Sequence, residues 1–201
     1  MPSVFLVSDT HFGHAGVCRF TRGDGEKLRP WTDPDEMDEA MIKAWNDRVK
    51  PSDKVYHLGD VVINRKAMKT LARLNGDKVL IRGNHDIFRD DEYREYFREL
   101  RAYHVMNGMI LSHIPIHSDS LGRFGVNIHG HLHSNRVKKA RGVDARTGEI
   151  LYSDENDVRY HCVCVEQTPD FAPILFEDVI KRIEAEGGSV GFRNGNGPTV
   201  D

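Results

Sequence analysis

Short apolar segments alternate with helix-like segments through the first hundred residues. The apolar segments have the composition of strands buried on both faces, whereas the helix-like segments place apolar residues three and four positions apart or are rich in charge. The predicted strands cover residues 3–8, 54–58 and 78–81, and the predicted helices cover 33–50, 65–75 and 90–101. This alternation predicts a largely parallel sheet with a ligand site at the carboxyl ends of its strands.

The first two helices have clear sequence boundaries. Asp33 is a typical capping residue, Pro34 suits the first helical position, and Pro51 cannot continue the helix. Gly76 is expected to end the second helix in the same way.

The second half of the chain is richer in strand signals. Residues 102–106 and 109–112 are β-like runs joined by Asn107-Gly108, a strong hairpin signal. Two further strands (126–129 and 160–165), a tight turn within 143–152 and an amphipathic helix at 177–186 are also predicted. We expect one domain over residues 1–186 and a flexible, Gly- and Asn-rich tail over 187–201.

Composition narrows the functional class only a little. A net charge of −3 argues against whole-surface attraction to nucleic acid, and neither a membrane-spanning run nor a signal peptide is evident. Three cysteines without a disulfide framework favour a reducing cytoplasm. Eleven histidines are the one anomaly, and histidine is the commonest metal-ligating side chain.

Side chains that can bind metals stand at the ends of five predicted strands. Asp9 and His11 follow the first strand, and we expect them to converge because residues two apart on an extended tip face the same way. The other candidates at strand ends are Asp60, Asn84, His113, His131 and His133. Two Asp, one Asn and four His suit borderline divalent ions such as Mn, Fe or Zn. Seven ligands are too many for one open catalytic site, and they are right for two ions sharing a carboxylate.

In this order and at these separations, the motifs resemble the calcineurin-like metallophosphoesterase superfamily, and in particular its small bacterial and phage-type members. The motifs are DTH at 9–11, GD at 59–60, GNHD at 83–86, a lone His at 113 and GHLH at 130–133. The resemblance implies an α/β fold, a four-layer αββα sandwich of two mixed β-sheets flanked by helices. The segment after Asp60, VVINR, departs from the GDxVDRG motif of the Ser/Thr protein phosphatases and disfavours that class.

The resemblance also implies a role for each motif residue. Two divalent transition-metal ions are expected, with manganese favoured. One ion takes Asp9, His11 and His133, the other takes Asn84, His113 and His131, and Asp60 bridges them. His85 would be the general acid, oriented by Asp86, while a metal-bound hydroxide attacks phosphorus.

The substrate is less well specified. His14 and Arg123 are candidate substrate contacts, and few basic residues flank the metal motifs, which favours a phosphodiester over a phosphomonoester. The predicted function is hydrolysis of a small, nucleotide-like phosphorylated substrate. The alternatives are a nuclease, which the basic cluster 136–141 would serve unless it is a solvated hairpin, and a non-catalytic scaffold of the same fold. The oligomeric state and the role of the segment 19–31 stay open.

Overall fold

The computed structural model describes residues 2–191 of the 201-residue chain. Its strands are β1 (Val4–Val7), β2 (Lys54–His57), β3 (Asp77–Ile81), β4 (Glu99–Arg101), β5 (His104–Met106), β6 (Met109–Ser112), β7 (Asn127–His129), β8 (Lys138–Val143), β9 (Ile150–Asn156), β10 (Tyr160–Cys162) and β11 (Ile174–Leu175). The α-helices are α1 (Pro34–Arg48), α2 (Asp90–Arg94) and α3 (Phe176–Ala185). A long 3-10 helix covers Arg65–Arg73, and shorter ones cover Ser118–Leu121, Val165–Gln167 and Pro169–Phe171.

These strands form two mixed sheets and a separate hairpin. The first sheet has the order β11-β1-β2-β3-β4 and is parallel except for β11. The second has the order β10-β7-β6-β5 and is parallel except for β5. Strands β8 and β9 pair only with each other. Because β1, β2 and β3 run in one direction, their carboxyl ends lie along one edge of the first sheet.

Alternate side chains of the first sheet enter two different cores. Phe5 and Val7 pack against α1, whereas Leu6 packs against residues of the second sheet. The same alternation holds in β3, where Leu80 faces the helices and Val79 faces the second sheet. Both faces of the first sheet are therefore buried, which explains why its strands are almost continuously apolar.

The helices flank the two packed sheets. Met37, Met41 and Trp45 of α1 lie in the core on the outer face of the first sheet, together with Leu71 of the long 3-10 helix. Asp33 caps α1 as predicted, since its side chain accepts hydrogen bonds from the backbone at the start of the helix. The predicted α/β architecture of two mixed sheets with flanking helices is confirmed.

Three predicted elements differ from the structure. The strand predicted at 160–165 ends at Cys162, and a 3-10 helix begins at Val165. The segment 90–101 is not one helix, because α2 ends at Arg94 and β4 follows, pairing in parallel with β3. Its charges suggested a surface helix, but the sheet edge captures Glu99–Arg101 as a strand. The helix predicted at 65–75 is a 3-10 helix over Arg65–Arg73.

The carboxyl-terminal segment is described as far as residue 191. Within it, the Gly188 N–H donates to the Ile183 carbonyl at 2.9 Å, and Val190 packs against the core between the sheets. Residues 192–201 lie outside the described part, so the expected flexibility of the tail stays a prediction.

Asp38 is a buried carboxylate on α1 that has no cationic hydrogen-bond or ion-pair partner among residues 2–191. Its oxygens accept the Gly13 N–H at 2.9 and 3.1 Å, yet burial raises the pKa of Asp38 to about 6. Because the pKa in the folded state exceeds the ordinary value, ionisation opposes folding. Protonated Asp38 therefore contributes to the free energy of unfolding. This contribution is present in full below about pH 4 and is lost as the pH rises through 6.

The variant Asp38→Asn keeps an acceptor for the Gly13 N–H but cannot ionise. We therefore expect its free energy of unfolding, relative to wild type, to increase from pH 4 to pH 7. Solvent screening reduces the expected gain to about 1–2 kcal/mol. Denaturant unfolding at both pH values measures it, and Asp47→Asn, an exposed site on the same helix, is the control. A pH-independent difference between wild type and Asp38→Asn would contradict the assignment.

Candidate metal centre

Residues from both sheets meet where the strands end. Among residues 2–191, the structure forms two groups whose potential ligand atoms lie within 4.8 Å of one another. The first group is Asp9, His11 and His133, and the second group is Asp60, His113 and His131. Four of these six side chains (Asp9, His11, Asp60 and His113) are buried, whereas His131 and His133 are partly exposed.

Asp60 lies between the two groups. Its Oδ2 is 3.7 Å from Nε2 of His11 in the first group and 3.4 Å from Nε2 of His113 in the second. Its Oδ1 accepts the backbone N–H of His85 at 2.8 Å, which fixes the direction of the carboxylate. This position is the one that a carboxylate shared by two ions requires.

The backbone of these residues is left-handed at five positions. Asp9, His11, Asp60, His131 and His133 have φ values of 58°, 50°, 57°, 69° and 51°. Non-glycine residues adopt this region rarely and at a cost, and such residues concentrate at functional sites. The extended tip predicted for Asp9 and His11 is therefore wrong: they converge through left-handed turns rather than through a β-like alternation.

Close backbone approach explains the glycines that flank these turns. A Cβ on Gly59, whose φ is 94°, would lie 2.5 Å from the Gly83 nitrogen and 2.7 Å from Nδ1 of His113. A Cβ on Gly130 would lie 2.0 Å from the Ser8 hydroxyl and 2.5 Å from a carboxylate oxygen of Asp9. Only glycine allows the two sheets to approach this closely at the centre.

The two oxygens of Asp9 have different surroundings. Oδ2 accepts the Ser8 hydroxyl at 2.5 Å, the His131 N–H at 2.8 Å and the Cys164 thiol at 3.1 Å. Oδ1 is buried without a hydrogen-bond partner among the described residues, and it lies 3.7 Å from Nε2 of His11 and 3.9 Å from Nε2 of His133. A buried anionic oxygen is costly unless a cation or donor satisfies it, so this arrangement fits a bound metal ion.

The protonation states of Asp9 and His131 also suit metal binding. Burial acts to raise the pKa of Asp9, but the neighbouring imidazoles of His11, His113 and His133 hold it well below its ordinary range. Burial, assisted by His113, lowers the pKa of His131. A carboxylate that stays ionised and an imidazole that stays neutral are the forms that bind metals.

In two of the histidines, a hydrogen-bond partner on Nδ1 leaves Nε2 to face the metal centre. Nδ1 of His113 lies 2.7 Å from the Leu58 carbonyl, and Nδ1 of His133 lies 3.1 Å from Oε1 of Glu166. In each case Nε2 is left for the centre. Metal-ligating histidines typically use their second nitrogen in this way.

A buried ion pair that no sequence motif predicts supports the first group. Arg29 donates to Glu166 through Nε at 2.8 Å, with Nη2 2.7 Å from the same carboxylate oxygen, and it also donates to the carbonyls of Asp9 and Thr10 at 2.6 and 2.8 Å. Glu166 in turn holds His133. Burial opposes ionisation of Glu166, but Arg29 and His133 lower its pKa, so the pair stays charged.

Asn84 and His85 extend the second group toward solvent. Oδ1 of Asn84 is 2.9 Å from Nε2 of His113, so the amide oxygen lies beside the second group as the motif implied. The exposed His85 ring has its centroid 5.6 Å from that of His11. His85 thus lies next to the centre without belonging to either group.

Asp86 does not contact the His85 ring through any hydrogen bond among residues 2–191, contrary to the expected orienting role. Its carboxylate instead accepts the backbone N–H groups of Asp60, Val61 and Gly83 at 2.8, 2.9 and 2.8 Å. Asp86 is therefore a positioning residue for the loop that carries Asp60.

The two candidate substrate contacts have different locations. The His14 ring lies 5.6 Å from the His11 ring, and burial, with the charges of His11 and Arg29, lowers the pKa of His14 to about 4. Arg123 is exposed and stacks on Phe124 at 5.5 Å. The expectation that Arg123 lies near the centre is wrong, because the N–H of nearby Gly125 bonds to Gly108 at the start of β6, whereas the metal residues follow the other end of that strand.

Comparison with known proteins agrees with this geometry. Residues 2–184 match the model of the calcineurin-like phosphoesterase family, which covers nearly the whole chain. The chain belongs to this family.

Its relatives include proteins whose activity is not stated. The uncharacterized protein MJ1445 of Methanocaldococcus jannaschii is 33% identical over 190 residues, which cover 92% of this chain and 93% of that protein. The crystal structure of the protein of unknown function AQ665 from Aquifex aeolicus is 25% identical, with a TM-score of 0.58 over 90% of this chain and 100% of that one. A novel archaeal phosphodiesterase is 19% identical with a TM-score of 0.41, covering 75% of this chain and 81% of its own, and at that level its activity says nothing about this chain.

In the described part of the chain, every helix is too short or too polar to cross a membrane.

The stoichiometry of metal binding tests the position of Asp60. After loading with Mn²⁺ and gel filtration, we expect wild type to retain two ions per chain by elemental analysis. Asp60→Ala should retain far fewer, because its carboxylate neighbours both groups. His117→Ala removes an exposed histidine outside both groups and should match wild type. One ion in wild type, or full content in Asp60→Ala, would contradict the shared carboxylate.

Proposed function

We propose that this protein is a dinuclear metal-dependent phosphodiesterase that hydrolyses a small, nucleotide-like substrate. The observation that supports this most strongly is the position of Asp60 between two His/Asp groups, with the exposed His85 beside them. The proposal assigns Asp9, His11 and His133 to one ion, Asn84, His113 and His131 to the other, and Asp60 to both. We favour manganese because the mixed oxygen and nitrogen donors suit a borderline divalent ion.

When bound, the two ions would polarise the phosphoryl oxygens and supply a water of lowered pKa. The protein's own residues prepare that site. Arg29 and Glu166 hold the Asp9–Thr10 backbone and His133, while Asp86 holds the Asp60 loop. Because these supports are buried, the groups keep their separations without a substrate.

His85 is the proposed catalytic acid. Its backbone is fixed by the hydrogen bond to Asp60, yet its ring is open to solvent, where a substrate can reach it. A protonated imidazole near the leaving oxygen can donate its proton as the bond from phosphorus to oxygen breaks, so that the leaving group departs as a neutral alcohol. Histidine suits this step because its ordinary pKa lies near neutral pH.

Charges around the centre support a diester substrate. A phosphodiester carries one negative charge, whereas a monoester dianion usually attracts additional Arg or Lys. Two arginines contact the backbone near the centre. Arg29 is fully buried in its pair with Glu166, and Arg82 is engaged by Asp90 and by backbone carbonyls. Neither of these two guanidinium groups is therefore free to bind a second negative charge on the substrate.

The basic cluster 136–141 gives little support to a nuclease. Arg136 pairs with Glu186, Lys139 pairs with Glu155 at 3.3 Å, and Lys138 bonds to the Asp154 carbonyl at 2.8 Å. Two of the four basic side chains are thus paired with carboxylates, and Lys138 and Lys139 bond to β9 within the exposed β8–β9 hairpin, as expected for a solvated hairpin.

The three described cysteines, Cys18, Cys162 and Cys164, are all buried free thiols. We infer a reducing compartment such as the cytoplasm for this protein.

Replacement of His85 separates binding from chemistry. His85→Ala should retain the metal content of wild type while kcat falls by about 10²–10⁴-fold, the usual effect of losing a positioned acid. His117→Ala is again the control for a histidine outside the centre. Loss of an ion in His85→Ala would instead make His85 a ligand.

Substrate preference tests the diester assignment. We expect Mn-loaded protein to cleave bis-p-nitrophenyl phosphate with a higher kcat/KM than p-nitrophenyl phosphate, because the centre offers few cations for a dianion. Release of p-nitrophenol measures both rates, and chelator-treated protein gives the background. A monoester preference of about tenfold or more would overturn the assignment.

A further inference from the structure

Exposed apolar side chains are concentrated in two places on the described surface. Four of the nine large ones belong to the β8–β9 hairpin, namely Val143, Ile150, Leu151 and Tyr152. Three others lie in segments that flank the metal centre. These are Phe20, Ile87 and Ile114, with exposed fractions of 50%, 73% and 52%. Apolar side chains around a polar catalytic centre suggest a ligand with an apolar part.

Phe20 is exposed but its backbone is fixed. The Phe20 carbonyl accepts the N–H of Leu28 at 2.8 Å, and Thr21 and Lys27 form a bridge just beyond. Leu28 is buried and precedes Arg29, which holds the carbonyls of Asp9 and Thr10. The loop that carries Phe20 is therefore anchored to the same backbone that carries the first metal group.

A continuous row of rings connects Phe20 to the centre. The Phe20 and His14 rings meet edge to face, with centroids 5.8 Å apart and an interplanar angle of 86°. The His14 ring lies 5.6 Å from that of His11, and the His11 ring lies 5.6 Å from that of His85. The proposed acid and the row ending at Phe20 thus share His11 as their common neighbour.

We propose that Phe20 and His14 form a subsite for a planar aromatic group carried by the leaving oxygen of the phosphoester. This inference rests on the proposed function, because it takes His85 as the group that meets the leaving oxygen. The His85 and His14 rings each lie 5.6 Å from the His11 ring, so a group that meets His85 is close to the row of rings that ends at Phe20. Ile87, whose N–H bonds to the His85 carbonyl at 2.9 Å, adds an apolar side chain beside the acid.

The physical basis is the contact between aromatic faces and edges. Such pairs gain stability beyond the area that they bury, and stacking of a nucleobase on an aromatic side chain is worth about 1–3 kcal/mol, or about 5- to 150-fold in affinity. A half-exposed Phe ring can gain this contact with little loss of freedom, because its backbone is already fixed. An aryl or nucleoside leaving group meets this requirement, whereas a short alkyl group does not.

Two uncleavable phosphonates test the subsite. Benzylphosphonate and ethylphosphonate both carry a methylene group in place of the leaving oxygen, and they differ in having a phenyl or a methyl group beyond it. Calorimetric titration of the Mn-loaded protein gives the Kd of each. We expect wild type to bind benzylphosphonate about tenfold more tightly, and Phe20→Ala to lose this preference without a change in the Kd of ethylphosphonate.

Two further variants make the result specific. Phe20→Tyr keeps an aromatic ring and should keep the preference. Tyr152→Ala removes a similarly exposed aromatic ring on β9, outside both metal groups, and should behave as wild type.

The possible failures are distinguishable. Equal affinity of wild type for the two phosphonates, or a preference that survives in Phe20→Ala, overturns the subsite even if phosphodiesters are cleaved. A preference that depends on Phe20 in a protein that cleaves no phosphoester supports the subsite and overturns the proposed function. Binding of neither phosphonate overturns the subsite, and the proposed function falls with it only if the Mn-loaded protein also fails to cleave bis-p-nitrophenyl phosphate.

Discussion

The left-handed backbone at Asp9, His11, Asp60, His131 and His133 is the constraint on which the rest of the centre depends. Each such residue costs free energy, because its Cβ crowds the neighbouring carbonyl oxygen. The turns persist because the strands before them are buried on both faces and cannot shift to relieve the strain. The apolar cores of the two sheets thus fix the conformation of polar residues that lie beyond them.

The Arg29–Glu166 pair provides a second level of support. A buried ion pair is seldom retained for stability alone, since removing two charges from water is expensive. Here the guanidinium also satisfies two main-chain carbonyls of the turn after β1, and the carboxylate fixes the ring of His133. The pair joins a loop, a strand end and a histidine from the other sheet, so its role is to set the geometry of the centre.

Local signals in the sequence were sufficient for much of the fold. The buried strands, the Asn107-Gly108 hairpin and the Asp33 cap depend on neighbouring residues, and the motif residues that end the strands come together because parallel strands share an edge. Strand β4 could not be predicted, since its residues are charged and become a strand only by pairing with β3. Nor could the contact of Arg29 with Glu166, which are 137 residues apart.

The expectations for Asp86 and Arg123 were wrong for a different reason, because both relied on closeness in the sequence. Asp86 is next to His85 in the chain, but its side chain turns inward to three backbone N–H groups. Arg123 is close in sequence to the GHLH motif, but a whole strand lies between them and carries the motif to the opposite end of the sheet. Proximity in sequence is a poor guide wherever a strand intervenes.

Each of the two metal groups draws on both sheets. Asp9, His11 and Asp60 follow strands of the first sheet, whereas His113, His131 and His133 follow strands of the second. An ion held by either group would therefore connect the two sheets, and its binding free energy would add to the stability of the whole domain. The free energy of unfolding of such a protein depends partly on the concentration of free metal ions. The availability of metal in the cell would then influence how long the folded protein persists.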